Sequence, residues 1–434
     1  MLTIDYLAVI NDYLRIFVRY PEIDYSKHSA YANFQSESYG DCSLIASMIS
    51  EIDNINNSFS SLNFVNHGDA MDALSEIQLC IDKIIKDPAG KDKSIIAKEW
   101  LDSSLRWTLS DISYEYARRV FSAREYDGVN LSHERKQQLE LLRNQGMYIA
   151  DLSKKTYSHI RELALRHRDK LRQQALMDPL NRSVMNAPFN SSLLNAIKLA
   201  SKEAGIIDVL SDYKKNKMTV LGAGLEYSCE EQSWHQGLYS DVGLADSPLR
   251  YLHVDEGDCL PKSMIYITPV DEENGPTRAI PQSNLWGKSD FLFRMHKALD
   301  ATVGARYANY VRKSHYRPIA QHAELRRIFM SLPKPFQGTS HFGDDLLVGS
   351  ELTETMEKLE TPYFSKGGNA LVFDGPHLLH RGSLVRSGER MAIQVIYRNQ
   401  NSESIKSYLA GDSLFKDQLS LAKKYARKFI KKYL

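Results

Sequence analysis

The chain has 434 residues, of which 43% are hydrophobic, and its formal net charge is +1 at pH 7. This length predicts two or three domains, and the apolar content suffices for sizeable cores. A net charge near zero creates no long-range electrostatic field that would attract nucleic acid or an anionic membrane. The sequence contains neither a nucleic-acid binding motif nor a run of roughly 18 apolar residues that would predict a membrane span. Its four scattered cysteines lack metal-ligand spacing and fit free thiols, so we expect a cytoplasmic protein.

The first part of the chain is predicted to be helical. Apolar side chains recur at helical spacing between residues 73 and 85, and again between residues 101 and 120. The turn residues Asp127 and Gly128 mark the predicted end of this part. We therefore expect an all-helical N-terminal module over residues 1–135.

Helices are also predicted directly after this module. Residues 139–145 have a helical pattern that Gly146 closes, and a long polar helix is predicted to continue through Arg172. The strands that the patterns predict all lie after residue 250.

Alternating side chains predict a short strand at residues 251–255, and this strand carries two candidate metal ligands. His253 and Asp255 are two positions apart, so both would point to the same face. A distant histidine, His380, follows another predicted strand at residues 369–374. Two imidazoles and one carboxylate are the ligands of the facial triad, which leaves half of an octahedral iron(II) open for chemistry. Because the chain has 13 histidines, the pattern alone is weak, and the flanking residues have to decide.

Those flanking residues predict further strands and turns. A strand at residues 263–268 leads into a turn at residues 271–276, and a last strand is predicted over residues 390–398. In the last strand, Arg390 begins a face of polar and small residues. The opposite face is apolar and is predicted to pack outward against helices.

Together these motifs resemble the phytanoyl-CoA hydroxylase-like family of iron(II) and 2-oxoglutarate dependent dioxygenases, over about residues 138–398. The resemblance is carried by His253-Val-Asp255, residues 262–276, Pro281-Gln-Ser283 and the stretch from Phe373 through His380-Arg-Gly382 to Arg390. It implies an α+β fold, with a double-stranded β-helix (a jelly-roll or cupin-like barrel) flanked by helices. It also implies that His253, Asp255 and His380 hold Fe(II), with 2-oxoglutarate as co-substrate and O2 as oxidant.

The resemblance further implies residues that bind the co-substrate. In the family, an arginine shortly after the second histidine pairs with the distal carboxylate of 2-oxoglutarate, and Arg390 matches that position. A guanidinium fork suits this task because it holds a carboxylate through two parallel hydrogen bonds. The alternative for Arg390 is a surface ion pair with Glu389. Lys262 and Ser383 are predicted as additional co-substrate contacts, although Lys262 is equally compatible with a solvated charge at the rim.

A different second ligand is also compatible with the residues. His377 precedes His380 by three positions, and Arg386 would then be its arginine. Arg390 opens a strand whereas Arg386 lies beside a turn glycine, which favours His380. Asp374 is predicted to cap the turn that follows its strand.

A halogenating relative is a further alternative. His235, in Trp234-His-Gln-Gly237, has the His-x-Gly form in which chloride replaces the carboxylate. The strand and Asn-Gly-Pro landmarks lie at the expected distance from His253 and too far from His235, which favours hydroxylation. One departure from the family is Pro281-Gln-Ser-Asn284, where relatives usually have Pro-Gly-Ser-His, and this difference indicates another substrate rim.

An insertion in the barrel is predicted at about residues 285–360, and a segment of this length is more often functional than idle. Between residues 285 and 337, ten lysines or arginines stand against three acidic residues. This excess favours an anionic small-molecule substrate, such as a phosphorylated, nucleotide-linked, carrier-linked or acidic sugar compound, with a solvated helical face as the alternative. Arg278 and Gln282 are predicted to contact the substrate.

The resulting prediction has three parts. A helical module at residues 1–135 precedes an oxygenase domain at residues 136–400. Residues 401–434 form a basic amphipathic helix that docks on the protein itself, with binding to a membrane surface as the alternative. The domain is predicted to hydroxylate a small substrate with release of succinate and CO2. The alternatives are halogenation, desaturation or cyclisation on the same fold, or a catalytically inactive barrel that acts as a binding or scaffold protein. No pattern indicates the oligomeric state.

Overall fold

A computed structural model describes residues 41–61, 66–87, 95–178, 181–230, 255, 260–285, 291–292, 294–295, 298, 332–337 and 358–400. His253, His235, most of the insertion and the segment from residue 401 onward lie outside these residues. The predictions made for them therefore stay predictions.

Three helices form the N-terminal part of the described chain: α1 (Ser43–Ser61), α2 (His67–Lys86) and α3 (Ile95–Glu125). The side chain of Asn66 caps α2 by accepting a hydrogen bond from the Asp69 N–H at 2.9 Å. Both predicted apolar stripes fall in these helices, and most of their residues are buried. The shared core contains Ile77, Ile81, Ile84, Leu101, Leu105, Leu109, Ile112, Tyr116 and Val120.

Part of the predicted insertion packs onto these same helices. Phe291, Met295, Leu332 and Phe336 are buried in the core of α1, α2 and α3. Arg294 forms ion pairs with Asp111 at 2.8 Å and with Glu115, both on α3. This arginine belongs to the basic set that was predicted to favour an anionic substrate, and its charge is instead used within the protein.

We expect the Glu115 ion pair to make folding sensitive to acid. Burial raises the pKa of this carboxyl, but the charges of Arg294 and Arg119 outweigh burial and hold the pKa well below its usual value of 4.5. Stabilisation is therefore complete above pH 4.5 and is lost as the pH falls through the depressed folded value. Glu115→Gln should lower the free energy of unfolding by about 2 to 3 kcal/mol at neutral pH.

Urea unfolding of both proteins between neutral and acidic pH measures this effect. The difference between wild type and Glu115→Gln should shrink as the pH falls below 4.5. Glu140→Gln is the matched control, because Glu140 is exposed and, within the described part of the chain, pairs across one helical turn with Arg143; it should cost about 0.5 kcal/mol or less. A difference that stays constant with pH would contradict the assignment.

Between the N-terminal helices and the family motifs, the chain alternates helices and strands. It contains α4 (His133–Gln145), β1 (Met147–Asp151), α5 (Lys154–Leu165), α6 (Arg168–Met177), β2 (Arg182–Asn186), α7 (Ser192–Glu203), α8 (Ile206–Lys214) and β3 (Met218–Cys229). Gly146 ends α4 in the left-handed conformation, as predicted.

The prediction of one long polar helix through Arg172 was wrong. Residues 147–151 alternate in burial and pair with a strand more than 200 positions further along the chain, and the helical segment after them breaks at residues 166–167. The strands β1, β2 and β3 were not predicted, because β1 pairs with β7 and β3 pairs with β9, far along the chain.

The remaining elements follow the predicted motifs. They are β4 (Lys262–Tyr266), β5 (Thr277–Ala279), a 3-10 turn (Ser283–Leu285), α9 (Lys334–Gln337), β6 (Thr361–Tyr363), β7 (Asn369–Phe373), β8 (His380–Arg381) and β9 (Glu389–Asn399). The predicted strands at residues 263–268, 369–374 and 390–398 are thus present with small shifts at their ends.

Two antiparallel sheets face each other across a common core. The larger has the order β1-β7-β4-β9-β3-β2 and the smaller the order β6-β5-β8. Their facing sides enclose Met264, Tyr266, Ala279, Tyr363, Leu371, Phe373 and Ala392. The outer face of the larger sheet packs on α4 to α8, and the apolar side of β9 (Met391, Ile393, Val395, Tyr397) lies in that layer, as predicted. Among the described helices, none is both long and apolar enough to cross a membrane.

Candidate active site

The two sheets bring two of the predicted ligands together. His380 lies in β8 of the smaller sheet, opposite Ala279 in the register with β5. Asp255 is held by a backbone hydrogen bond from its N–H to the Gly375 carbonyl, at 2.8 Å. The Oδ2 atom of Asp255 lies 3.4 Å from Nε2 of His380, and both side chains are buried.

The His380 ring is oriented by two contacts. Its Nδ1 lies 2.8 Å from the Leu378 carbonyl oxygen, and the Phe373 ring packs edge-on against it at 4.9 Å between centroids. A carbonyl oxygen only accepts hydrogen bonds, so Nδ1 carries the proton of the neutral ring. Nε2 is then left with its lone pair toward Asp255, which is the tautomer that a metal-binding histidine needs.

The Asp255 carboxylate is constrained on both sides. Its Oδ1 atom lies 2.7 Å from the Lys262 ammonium nitrogen. Its Oδ2 atom lies against Gly375, where a side-chain Cβ would be only 2.2 Å away. Lys262 therefore contacts Asp255, a candidate metal ligand. It is not the solvated charge at the rim that was the alternative prediction for it. The carboxylate presents a single oxygen toward His380.

An imidazole nitrogen and one carboxylate oxygen, buried and facing each other, fit a divalent iron. Among the described side chains, no group of three or more histidine, cysteine, aspartate or glutamate residues is close enough to hold a metal. The third predicted ligand, His253, lies outside the described residues.

Arg390 lies in the core between the sheets and not at the surface. Only 5% of the residue is exposed, and Nη1 donates a hydrogen bond to the Gly275 carbonyl. The alternative partner, Glu389, instead pairs with Arg168 at 2.6 Å and accepts a hydrogen bond from the Tyr227 hydroxyl at 2.7 Å. A buried guanidinium at the end of a strand is well placed to bind an anionic co-substrate.

Tyr266 and Thr277 accompany Arg390 and were not predicted. Burial raises the pKa of the Tyr266 hydroxyl, and the nearby Arg390 charge only partly opposes this, so the hydroxyl stays protonated. It donates to Thr277 Oγ1 at 3.0 Å and accepts from the Thr277 N–H at 2.7 Å. The signal in the sequence was the alternation of Lys262, Met264 and Tyr266 on one face of β4.

The alternative ligands are separated from this site. Nδ1 of His377 lies 2.9 Å from Oδ2 of Asp374, so its ring faces another carboxylate. Arg386 is largely exposed and lies 3.9 Å from Glu273. The described geometry thus brings His380 and not His377 to Asp255.

Asp374 does more than cap a turn. Its backbone carbonyl accepts from the N–H groups of His377 and Leu378, as a turn residue would. Its carboxylate, however, is fully buried and pairs with Lys214 at 3.0 Å. The Tyr213 hydroxyl also donates to it at 2.6 Å. Nothing in the local sequence could indicate these partners on α8.

The predicted rim residues form a separate group. Arg278 donates through Nε to Ser383 Oγ at 3.1 Å and pairs with Glu272. Gln282 adopts a left-handed backbone with φ of 68°, and its N–H donates to the Gln145 carbonyl at 3.1 Å. Ser383 is therefore brought to Arg278, and its predicted contact with the co-substrate stays a prediction.

Comparison with known proteins is consistent with the motifs. Residues 229–392 match the family model "Phytanoyl-CoA dioxygenase (PhyH)". No curated protein matches the chain.

Three solved structures illustrate what the chain matches. The non-heme alpha ketoglutarate dependent epimerase SnoN from nogalamycin biosynthesis is 8% identical, with 61% of this chain and 83% of that chain covered and a TM-score of 0.32. EctD from S. alaskensis in its apoform is 11% identical, with coverages of 63% and 80% and a TM-score of 0.33. AviO1 from Streptomyces viridochromogenes Tue57 is 12% identical, with coverages of 62% and 97% and a TM-score of 0.32.

TM-scores this low do not support a conclusion about activity. The similarity to the family depends on the match of residues 229–392 alone. Residues 229–392 are thus similar to the phytanoyl-CoA dioxygenase family, and this match supports both the predicted family and the predicted enzyme class, an oxygenase.

Proposed function

We propose that the chain is an Fe(II)- and 2-oxoglutarate-dependent dioxygenase that hydroxylates a small substrate with release of succinate and CO2. The observation that carries this proposal is the buried pair of Asp255 Oδ2 and His380 Nε2, 3.4 Å apart, with the proton of the imidazole on the opposite nitrogen. His253 would complete the ligand set. The two facing sheets would close into the jelly-roll barrel implied by the family.

Each residue has a role that follows from its contacts. His380 and Asp255 would hold iron on one side, and Lys262 would keep Oδ1 of the carboxylate turned away so that Oδ2 binds. Arg390, with the Tyr266 hydroxyl beside it, would bind the distal carboxylate of 2-oxoglutarate. When bound, these cofactors supply the oxidative decarboxylation that activates dioxygen. The aromatic and aliphatic core between the sheets would exclude water.

The surroundings of Arg278 bear on the charge of the substrate. Arg278 is held by Ser383 and Glu272 in the smaller sheet, where an anionic substrate group could exchange for the glutamate. Arg294, by contrast, is already paired with two acidic side chains of α3 and does not support an anionic substrate. We therefore propose a small substrate. Of the two arginines, Arg278 supports an anionic group on it.

The division of the chain is also part of the proposal. Residues 1–135 would form the helical module, residues 136–400 the oxygenase domain with its insertion, and residues 401–434 a docking helix. The core shared by α1, α2, α3 and the insertion supports a helical module that is packed onto the oxygenase domain. A cytoplasmic location is proposed from the scattered cysteines.

Succinate formation from 2-oxoglutarate tests the catalytic part. The purified chain should release succinate when Fe(II) is added and should do so without a substrate at a slow uncoupled rate. His380→Ala should reduce this rate at least about 100-fold, because the iron loses an inward-facing ligand. His133→Ala is the matched control, since His133 is an exposed histidine on α4. Wild-type protein that binds Fe(II) and 2-oxoglutarate without succinate formation would favour the catalytically inactive barrel.

A further inference from the structure

A buried ion pair lies immediately behind the candidate metal site. Lys214, the last residue of α8, has 6% of its side chain exposed, and Asp374 has none. Lys214 Nζ lies 3.0 Å from Oδ1 of Asp374, while Tyr213 donates to Oδ2 of the same carboxylate. Two charged groups at this depth are costly to bury and persist only with good geometry, so the pair fixes the end of β7 to the end of α8.

This ion pair is one residue away from the position that holds Asp255. Gly375 follows Asp374 directly, and its carbonyl accepts the Asp255 N–H at 2.8 Å. The Cα of Gly375 also faces the metal-binding oxygen of Asp255. Any movement of the Asp374 backbone would therefore move both the backbone and the carboxylate of Asp255.

The end of α8 is itself held by the N-terminal helices. Arg118 on α3 donates to the Lys214 carbonyl at 2.8 Å. One turn further, Ser122 Oγ lies 3.3 Å from the Asn216 side-chain amide, which donates to it. The Lys214 backbone is thus fixed from one side by α3, while its side chain reaches Asp374 on the other.

We propose that Lys214 and Tyr213 are positioning residues for the metal site: through Asp374 and Gly375 they hold Asp255 in the orientation that binds iron. This inference rests on the proposed function, because it assumes that Asp255 is a ligand. Partners that orient a metal ligand in this way typically contribute 10- to 100-fold to metal affinity. The effect reaches the metal through backbone position, so it is separate from any contact with substrate.

Metal binding by the apoprotein provides the test. Co(II) replaces Fe(II) as the probe, because its visible absorption reports ligand number and geometry, and its dissociation constant can be titrated without turnover. Lys214→Met should weaken Co(II) binding by about tenfold or more and alter the visible spectrum. Tyr213→Phe removes one hydroxyl and is the milder variant if Lys214→Met does not fold; it should weaken binding severalfold.

Lys215→Met is the matched control. Lys215 is the next residue, is exposed, and pairs with Asp212 at 2.9 Å on the surface. It should leave both the dissociation constant and the spectrum unchanged. Thermal unfolding of each variant without metal shows that binding is measured on folded protein.

The outcomes separate the two proposals. If wild-type protein binds no Co(II) or Fe(II), the proposed function fails and the inference fails with it. If wild type binds metal while folded Lys214→Met and Tyr213→Phe bind it as tightly and with the same spectrum, only the positioning role is overturned. A loss of thermal stability without a change in metal affinity would also overturn it, because the ion pair would then serve folding alone.

Discussion

Replacing Gly375 by alanine is expected to abolish Fe(II) binding at micromolar metal, a loss of at least about 100-fold in affinity. The new Cβ would lie 2.2 Å from Oδ2 of Asp255, which is far inside van der Waals contact. The carboxylate cannot turn away freely, because Oδ1 is paired with Lys262 and the Asp255 N–H is bound to Gly375 itself. The backbone of Gly375 is outside the left-handed region, so alanine fits there and only the carboxylate is displaced.

Isothermal titration of the apoprotein with Fe(II) under anaerobic conditions measures this loss. Gly222→Ala is the matched control, because a Cβ at Gly222 would meet no atom within 4 Å. Thermal unfolding should change little in Gly222→Ala, whereas Gly375→Ala should unfold at a somewhat lower temperature because the buried pair of Asp255 and Lys262 is disturbed, while still being folded at the temperature of the titration. If Gly375→Ala bound Fe(II) as tightly as wild type, Asp255 would not be a ligand in the orientation described.

Arg390→Lys is expected to raise the KM for 2-oxoglutarate by about 100-fold. Lysine keeps the positive charge, but it lacks the planar fork that binds a carboxylate through two hydrogen bonds. The residue is buried and contacts the Gly275 carbonyl, so water cannot replace the missing donor easily. Iron affinity should be unchanged, since among the described residues Arg390 contacts neither Asp255 nor His380.

Initial rates of succinate formation over a range of 2-oxoglutarate concentrations check this prediction. Arg386→Lys serves as the control, because Arg386 is the arginine that would accompany the alternative ligand His377 and is largely exposed. Its KM should match that of wild type. An equal rise in KM for both variants, or no rise for Arg390→Lys, would remove Arg390 from the co-substrate site.

Much of the framework could be predicted from local patterns. Short apolar runs bounded by turn residues placed β4 and β7, and period-two alternation assigned the two faces of β9 correctly, because successive side chains of a strand point to opposite faces. The spacing of His380 and Arg390 within strand and turn motifs identified the family, and the structure buries both residues between or beside the sheets. These features are encoded within a few tens of residues.

The contacts that orient the site could not be predicted in this way. Lys262 against Asp255, Lys214 against Asp374, and β1 against β7 join residues whose partners are set by how the sheets and helices pack. A side chain's charge is visible in the sequence, but its distance to an opposite charge depends on the whole fold. The residues alone therefore specified the chemistry available, namely imidazole, carboxylate and guanidinium groups on strands. Packing determined which oxygen of Asp255 faces His380, because Gly375 and the Lys262 ammonium group, from two separate segments, lie against the two oxygens of that carboxylate.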